Sequence, residues 1–197
     1  HFEGMLLEVN GREVAVQFIG KFNVSNLLAV YGAALMLGKS EEEVLVVLST
    51  LKSVSGRLEP IRSAEGVTAV VDYAHTPDAL EKVLKDLRSL ASGRELICLF
   101  GCTGDRDRKK RPEMAEISES LADRIFVTAD DNHGERIEGI MADIRKGFSG
   151  SGLARVTFIP DRKEAIKEAI LSAGADAIIL LAGKGPALLE VATKEIK

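Results

Sequence analysis

The sequence predicts an α/β fold with a mostly parallel sheet covered by helices on both faces. Three observations carry this. Beyond residue 66, five short runs rich in aliphatic and β-branched residues recur, at 67–71, 95–100, 124–128, 155–159 and 176–182. They are near-continuously apolar and do not alternate, as strands buried on both faces are. Each is followed by a segment of helical periodicity, the alternation that builds parallel βαβ units. The chain has 197 residues, 46% hydrophobic and 28% charged, enough to bury a core without staples.

The opening residues have a different rhythm. Runs at 5–9 and 13–18 flank Asn10-Gly11, the strongest short hairpin signal. Residues 24–37 are small and apolar at helical spacing and stop at Gly38, which reads as a helix C-cap. Ser40 is placed to cap a second helix over 41–52, with three glutamates in its first turn. Gly56, Arg57 and Pro60 then punctuate the chain, which predicts two units, 1–57 and 58–197. In the second unit, helices are expected over 78–91, over 112–121 from Pro112, over 136–147, over 161–173 from Asp161, and over 186–196.

Composition removes several functions. With 26 basic and 30 acidic residues the net charge is −4, which argues against a broad surface for nucleic acid or anionic membrane and leaves room for a local basic pocket. No apolar run approaches the about 18 residues of a membrane span, and no signal peptide opens the chain, so a cytoplasmic protein is expected. Cys98 and Cys102 have no metal-spaced partners and read as reduced thiols. The first residue is His1, which points to part of a longer chain. Gly38-Lys39-Ser40 imitates the end of a phosphate-binding P-loop, but position 33 is alanine and a helix, not a strand, precedes it.

In an open parallel sheet, ligands bind beyond the carboxyl ends of the strands. Four of the expected strands end in polar or glycine-rich loops: Asp72-Tyr73-Ala74-His75, Gly101-Cys102-Thr103-Gly104-Asp105-Arg106-Asp107, Asp130-Asp131-Asn132-His133-Gly134, and Gly183-Lys184-Gly185. Asp72 suits either a helix cap or a ribose diol, and His75 either an ordinary turn or a site. Gly101 and Gly104 serve tight turns or a close backbone approach. The run Arg106 to Arg111 is either a solvated charge cluster or a seat for an anionic or carboxylate ligand.

Taken together, Phe22-Asn23-Val24-Ser25-Asn26, Ser55-Gly56-Arg57-Leu58-Glu59, Asp72-Tyr73-Ala74-His75-Thr76-Pro77-Asp78, Gly101 to Asp107 with Lys110-Arg111-Pro112, and Gly183-Lys184-Gly185 resemble the Mur ligases. Within that family they are most similar to the branch that adds the third residue, a diamino acid, to UDP-MurNAc-L-Ala-D-Glu in peptidoglycan synthesis. The resemblance runs from residue 1 to about 185. It implies the end of a central ATPase domain followed by a Rossmann-like C-terminal domain. It also implies ATP-dependent amide formation through an acyl phosphate, with ATP and Mg²⁺ as cofactors. Asn23 and Asn26 would lie near adenine, Arg57 near ribose and phosphates, and Asp72 on the ribose hydroxyls with His75 beside it. Arg106 would hold the carboxylate of the incoming amino acid, and Asp131, Asn132 and Gly183 would complete its site. No residue is assigned with certainty to catalysis, His75 being the candidate near ATP, and none to metal.

The departures from the family pattern bear on specificity. The family's Asp-Asn-Pro-Arg stands here as Asp131-Asn132-His133-Gly134, with Arg136 the nearest arginine. Its Gly-Lys-Gly-His-Glu stands as Gly183-Lys184-Gly185-Pro186-Ala187, with Glu190 the nearest glutamate. Losing two charged hydrogen-bonding groups, at roughly 1.5–3 kcal/mol each, argues against standard diaminopimelate selection and leaves lysine, another diamino acid or altered geometry open. No P-loop occurs in the chain, so ligation is expected to need missing N-terminal and central domains of the same protein. The competing readings are another Mur-like ligase, of the cyanophycin or folylpolyglutamate synthetase type, and a non-catalytic amino-acid-binding module.

Overall fold

The structure, a computed structural model, describes residues 2–64 and 66–188. The chain divides into two compact units, His1–Val54 and Ser55–Lys197.

In the first unit, β1 (Met5–Val9) and β2 (Arg12–Val16) pair antiparallel, with Val9 opposite Arg12. Asn10 and Gly11 between them take φ of 51° and 77°, the left-handed pair that a two-residue hairpin requires. Helix α1 (Phe22–Met36) ends as expected at Gly38. The Gly38 amide donates to Leu35 and the Lys39 amide to Ala34, which satisfies the last carbonyls in a Schellman motif. Ser40 then opens α2 (Glu41–Thr50) with a reciprocal capping box to Glu43. The helix stops two residues early because Lys52 is drawn into a β-bridge with Gln17. Val14, Val16, Leu27, Tyr31, Val44, Leu45 and Leu48 form the core of this unit.

The second unit holds a six-stranded sheet in the order β3-β4-β8-β5-β6-β7. Its elements in sequence are β3 (Glu59–Arg62), β4 (Thr68–Asp72), α3 (Pro77–Ala91), β5 (Leu96–Phe100), α4 (Lys110–Leu121), β6 (Arg124–Val127), α5 (Ile137–Arg145), β7 (Val156–Phe158), α6 (Arg162–Leu171) and β8 (Ile178–Ala182). The five expected strands are present and parallel. An unexpected sixth, β3, runs antiparallel along the edge, with Glu59 opposite Val71 and Arg62 opposite Thr68. Pro60 reads as a breaker in the sequence, yet an edge strand is where the sheet tolerates a residue with no N–H. Helix α4 begins at Lys110, two residues before Pro112, because the first turn of a helix leaves its N–H groups unpaired anyway. The last expected helix, 186–196, lies mostly outside the described residues; a short 3-10 turn, Gly185–Leu188, begins there.

The chain steps in one direction from β4 through β5 and β6 to β7, then α6 carries it back to insert β8 between β4 and β5. Right-handed crossovers therefore put α6 on the face opposite α3, α4 and α5. Ala165, Ile166 and Ala169 of α6 accordingly pack with Ala69, Val71, Ile97, Leu99, Ile179 and Leu181. Cys98 and Cys102 are free thiols, and burial pushes them up to about 12 and about 11, which leaves them inert. Among the described residues no helix is long and apolar enough to cross a membrane.

Candidate functional site

Parallel strands share one carboxyl edge, so the four polar loops meet there. Gly104 in the loop after β5 donates its N–H to Asp131 O at 2.8 Å in the loop after β6. A Cβ at position 104 would stand 1.9 Å from Asn132 O, so the two backbones approach this closely only because residue 104 is glycine. Asp105 reinforces the contact by accepting from Gly134 N at 2.8 Å, and its own N–H donates to Glu135. The loop after β8 joins through Lys184, whose Nζ lies 2.8 Å from Asp131 and 3.7 Å from Asp130. That ammonium holds the Asp131 carboxyl below its usual range.

The loop after β4 forms a second cluster. Asp72 is buried, and its carboxylate accepts from Leu58 N at 2.9 Å and Ala74 N at 2.7 Å. Burial pushes its pKa up, while these N–H donors and Arg57 pull it back. Arg57 stacks over the Tyr73 ring at 4.7 Å, and Tyr73 meets His75 edge-on at 4.9 Å. His75 is exposed, with Nδ1 2.9 Å from Tyr73 O, and Lys110 donates to its carbonyl. Gly56, at φ 69°, lies where a Cβ would be 2.3 Å from Pro186, so the turn before β3 is pressed against the loop after β8.

The basic run after β5 divides three ways. Arg111 is fully buried in a bidentate pair with Glu135, at 2.7 and 2.6 Å, and also reaches Asp143 at 3.0 Å. Arg108 joins Asp143 at 2.7 Å. The Arg111 guanidinium holds Glu135 down at about 2, and Lys146, Arg108 and Arg111 together hold Asp143 well below the carboxylate range. These two arginines are therefore structural, a third outcome beside the solvated cluster and the ligand seat that the run Arg106 to Arg111 left open in sequence. Arg106 differs. It is exposed and has no hydrogen-bond or ion-pair partner among the described residues.

The remaining expected residues are placed as follows. Gly183 is buried at φ 110°. Asn132 Oδ1 is buried without a hydrogen-bond partner. Arg136 is 88% exposed and turned to Glu138, and Glu190 lies outside the described residues. In the first unit, the buried Asn23 side chain donates to Ile19 O at 2.8 Å and accepts from Asn26 at 3.1 Å, so the pair secures the first turn of α1. A cavity of about 610 Å³ in this unit lies between α1 and α2, lined by apolar residues such as Val30, Val44, Val47 and Leu51. It carries none of the site residues. Sequence reasoning overlooked Arg162, whose guanidinium donates to Ala129 O at 2.8 Å and to Ala182 O. The available signal was a cation at the first residue of a helix, where the dipole opposes positive charge.

A family model for "Mur ligase, glutamate ligase domain" matches residues 56–185. This chain belongs to the Mur ligase family. The UDP-N-acetylmuramoyl-L-alanyl-D-glutamate--2,6-diaminopimelate ligase of Bacteroides thetaiotaomicron is 50% identical over 94% of the chain and 39% of its own length. A solved structure of a ligase of the same name is 41% identical, with a TM-score of 0.65 over 91% of this chain and 37% of that one. Folylpolyglutamate synthase from Thermotoga maritima, at 19% identity and a TM-score of 0.68 over 94% of this chain and 42% of that one, shares the fold. The Mur ligase segment described here thus spans about two fifths of the length of the curated relatives it matches.

Proposed function

We propose that the chain is the C-terminal part of an ATP-dependent, MurE-type ligase that joins a diamino acid to UDP-MurNAc-L-Ala-D-Glu, residues 1–57 being the end of its ATPase domain. The observation that carries this is Arg106, an exposed guanidinium without a hydrogen-bond or ion-pair partner among the described residues, held on a loop locked to the Asp130–Gly134 and Gly183–Gly185 loops. A fixed fork of N–H donors beside paired carboxylates suits an amino acid, which brings one carboxylate and one or more ammonium groups. Arg106 binds the carboxylate in this reading. Asp131 and Asn132, with its unpaired buried oxygen, accept from an ammonium, and the Gly183 backbone lies alongside. The names of the relatives support a diamino acid as the incoming residue.

ATP with Mg²⁺, when bound, supplies the activation of the acceptor carboxylate. Arg57 and His75 are exposed residues of the second unit suited to its nucleotide. Asp72 fits a narrower role than the resemblance implies. Both its oxygens already accept backbone N–H groups, and the Tyr73 N–H also favours the carboxylate, so it fixes the turn that carries Arg57. The apolar groove between α1 and α2 is the face that the rest of the ATPase domain covers. As a partial chain it is expected to be inactive alone.

In the full-length protein, Arg106→Ala should raise KM for the amino acid by about tenfold or more, the loss of a charged hydrogen bond, with KM for ATP nearly unchanged. Steady-state kinetics with each substrate varied in turn decides this. Equal effects on both constants would remove Arg106 from the amino-acid site.

A further inference from the structure

Strands β6 and β8 both deliver site residues, Asp130-Asp131 from one and Gly183-Lys184 from the other. They are not neighbours, because β5 lies between them. No ladder hydrogen bond therefore fixes the spacing of their two loops. Arg162 fills this role. It is the first residue of α6, and its two terminal nitrogens take the carbonyl of Ala129, just before Asp130, and the carbonyl of Ala182, just before Gly183. Its Nε is buried with no hydrogen-bond partner, and burial pulls its pKa down while Asp130 and Asp131 push it back up. A cation at a helix N-terminus works against the dipole, and a buried donor left unpaired costs its lost hydration. Helix capping does not explain the residue either, since Asp161 already caps α6 through the Glu164 N–H. Among the described residues, its hydrogen bonds all go to the two strand ends.

We propose that Arg162 is a positioning residue that bridges the ends of β6 and β8 and so sets the distance between the Asp130-Asp131 carboxylates and the Gly183-Lys184 loop. The planar fork is what the task needs. Two parallel donors reach two carbonyls at once, whereas a lysine at this position has one ammonium on a flexible stem. Lys184 reports the spacing, because its Nζ meets Asp131 only while the loops are held together. The bearing on amino-acid binding rests on the function proposed above; the bearing on loop spacing does not.

The test uses the full-length protein with Arg162→Lys, which keeps the charge, and Arg162→Ala. Acetylation rates of individual lysines by an amine-reactive ester, read by mass spectrometry, follow Lys184 against the exposed Lys167 of α6. Lys184 should react about threefold faster or more in both variants, with Lys167 unchanged. KM for the diamino acid should rise about tenfold while KM for ATP stays within about twofold. Should the alanine variant fail to fold, the lysine variant carries both measurements. An Arg162→Lys protein matching the unaltered one in Lys184 reactivity would overturn the proposal. Faster Lys184 labelling with both KM values unchanged would overturn its link to the amino-acid site. If the unaltered full-length protein does not ligate a diamino acid, the function proposed above fails, and the labelling rates still decide the role of Arg162.

Discussion

Arg111 has no exposed surface, yet it keeps a full positive charge because Glu135 and Asp143 meet it on one side and Thr103 O on another. Removing one member of a buried ionic group leaves the others uncompensated, so Arg111→Leu should cost about 3 kcal/mol or more, read from urea unfolding midpoints. The same pair fixes an acid limit. Glu135 titrates near 4.5 when unfolded and at about 2 when folded. A depressed folded pKa gives stability that is complete above the unfolded value and is lost as pH falls toward the folded one. Unfolding midpoints should therefore be flat from pH 8 to about pH 5 and fall between about pH 4.5 and 2, and the fall should be shallower in Arg111→Leu. An unchanged slope in that variant would assign the acid sensitivity elsewhere. In sequence, Arg111 is one of six residues in a charge run, and nothing in one dimension separates it from Arg106. Burial separates them, and burial depends on where α4 packs.

Among the elements, the strands of the parallel sheet were legible because most are near-continuously apolar and lead into a glycine, aspartate or proline, although Thr157 of β7 is exposed. Ser40 and Asp161 likewise marked helix starts, and both cap through their side chains, whereas Thr76, which caps α3 in the same way, was not read as a helix start. The edge strand β3 was not legible: it is four residues long, contains Pro60, and alternates no apolar pattern. The clustering of the four loops was legible from the strand-end rule. Their interlocking was not, because it depends on Gly104 and Asp105 finding partners about thirty residues away. Gly104→Ala tests that contact. Its Cβ would collide with the Asn132 carbonyl. Hydrogen exchange at the Gly104 and Gly134 amides should accelerate about five- to tenfold, with Leu99 and Leu180 in the sheet unaffected. Unchanged protection would mean that the loops hold without this approach.

Across the whole molecule, the two units differ in how well they are closed. The second buries β4, β5 and β8 completely, whereas the first has an open apolar groove and leaves Met36 89% and Leu37 84% exposed. Amides of α1 and α2 should therefore exchange well before those of β4, β5 and β8 in this chain. The bond from Leu58 N to the buried Asp72 carboxylate has a practical result for anyone cutting the gene. A piece begun at Pro60 would strip Asp72 of a donor, remove the fully buried Leu58, and lose the turn pressed onto Pro186. One begun at Ser55 keeps all three. Melted side by side and followed by circular dichroism, the longer piece should hold its structure well above the shorter, by the several degrees that roughly 3 kcal/mol confers on a domain of this size. The seam by which this unit can be lifted out whole lies before Gly56, several residues ahead of the first strand of its sheet.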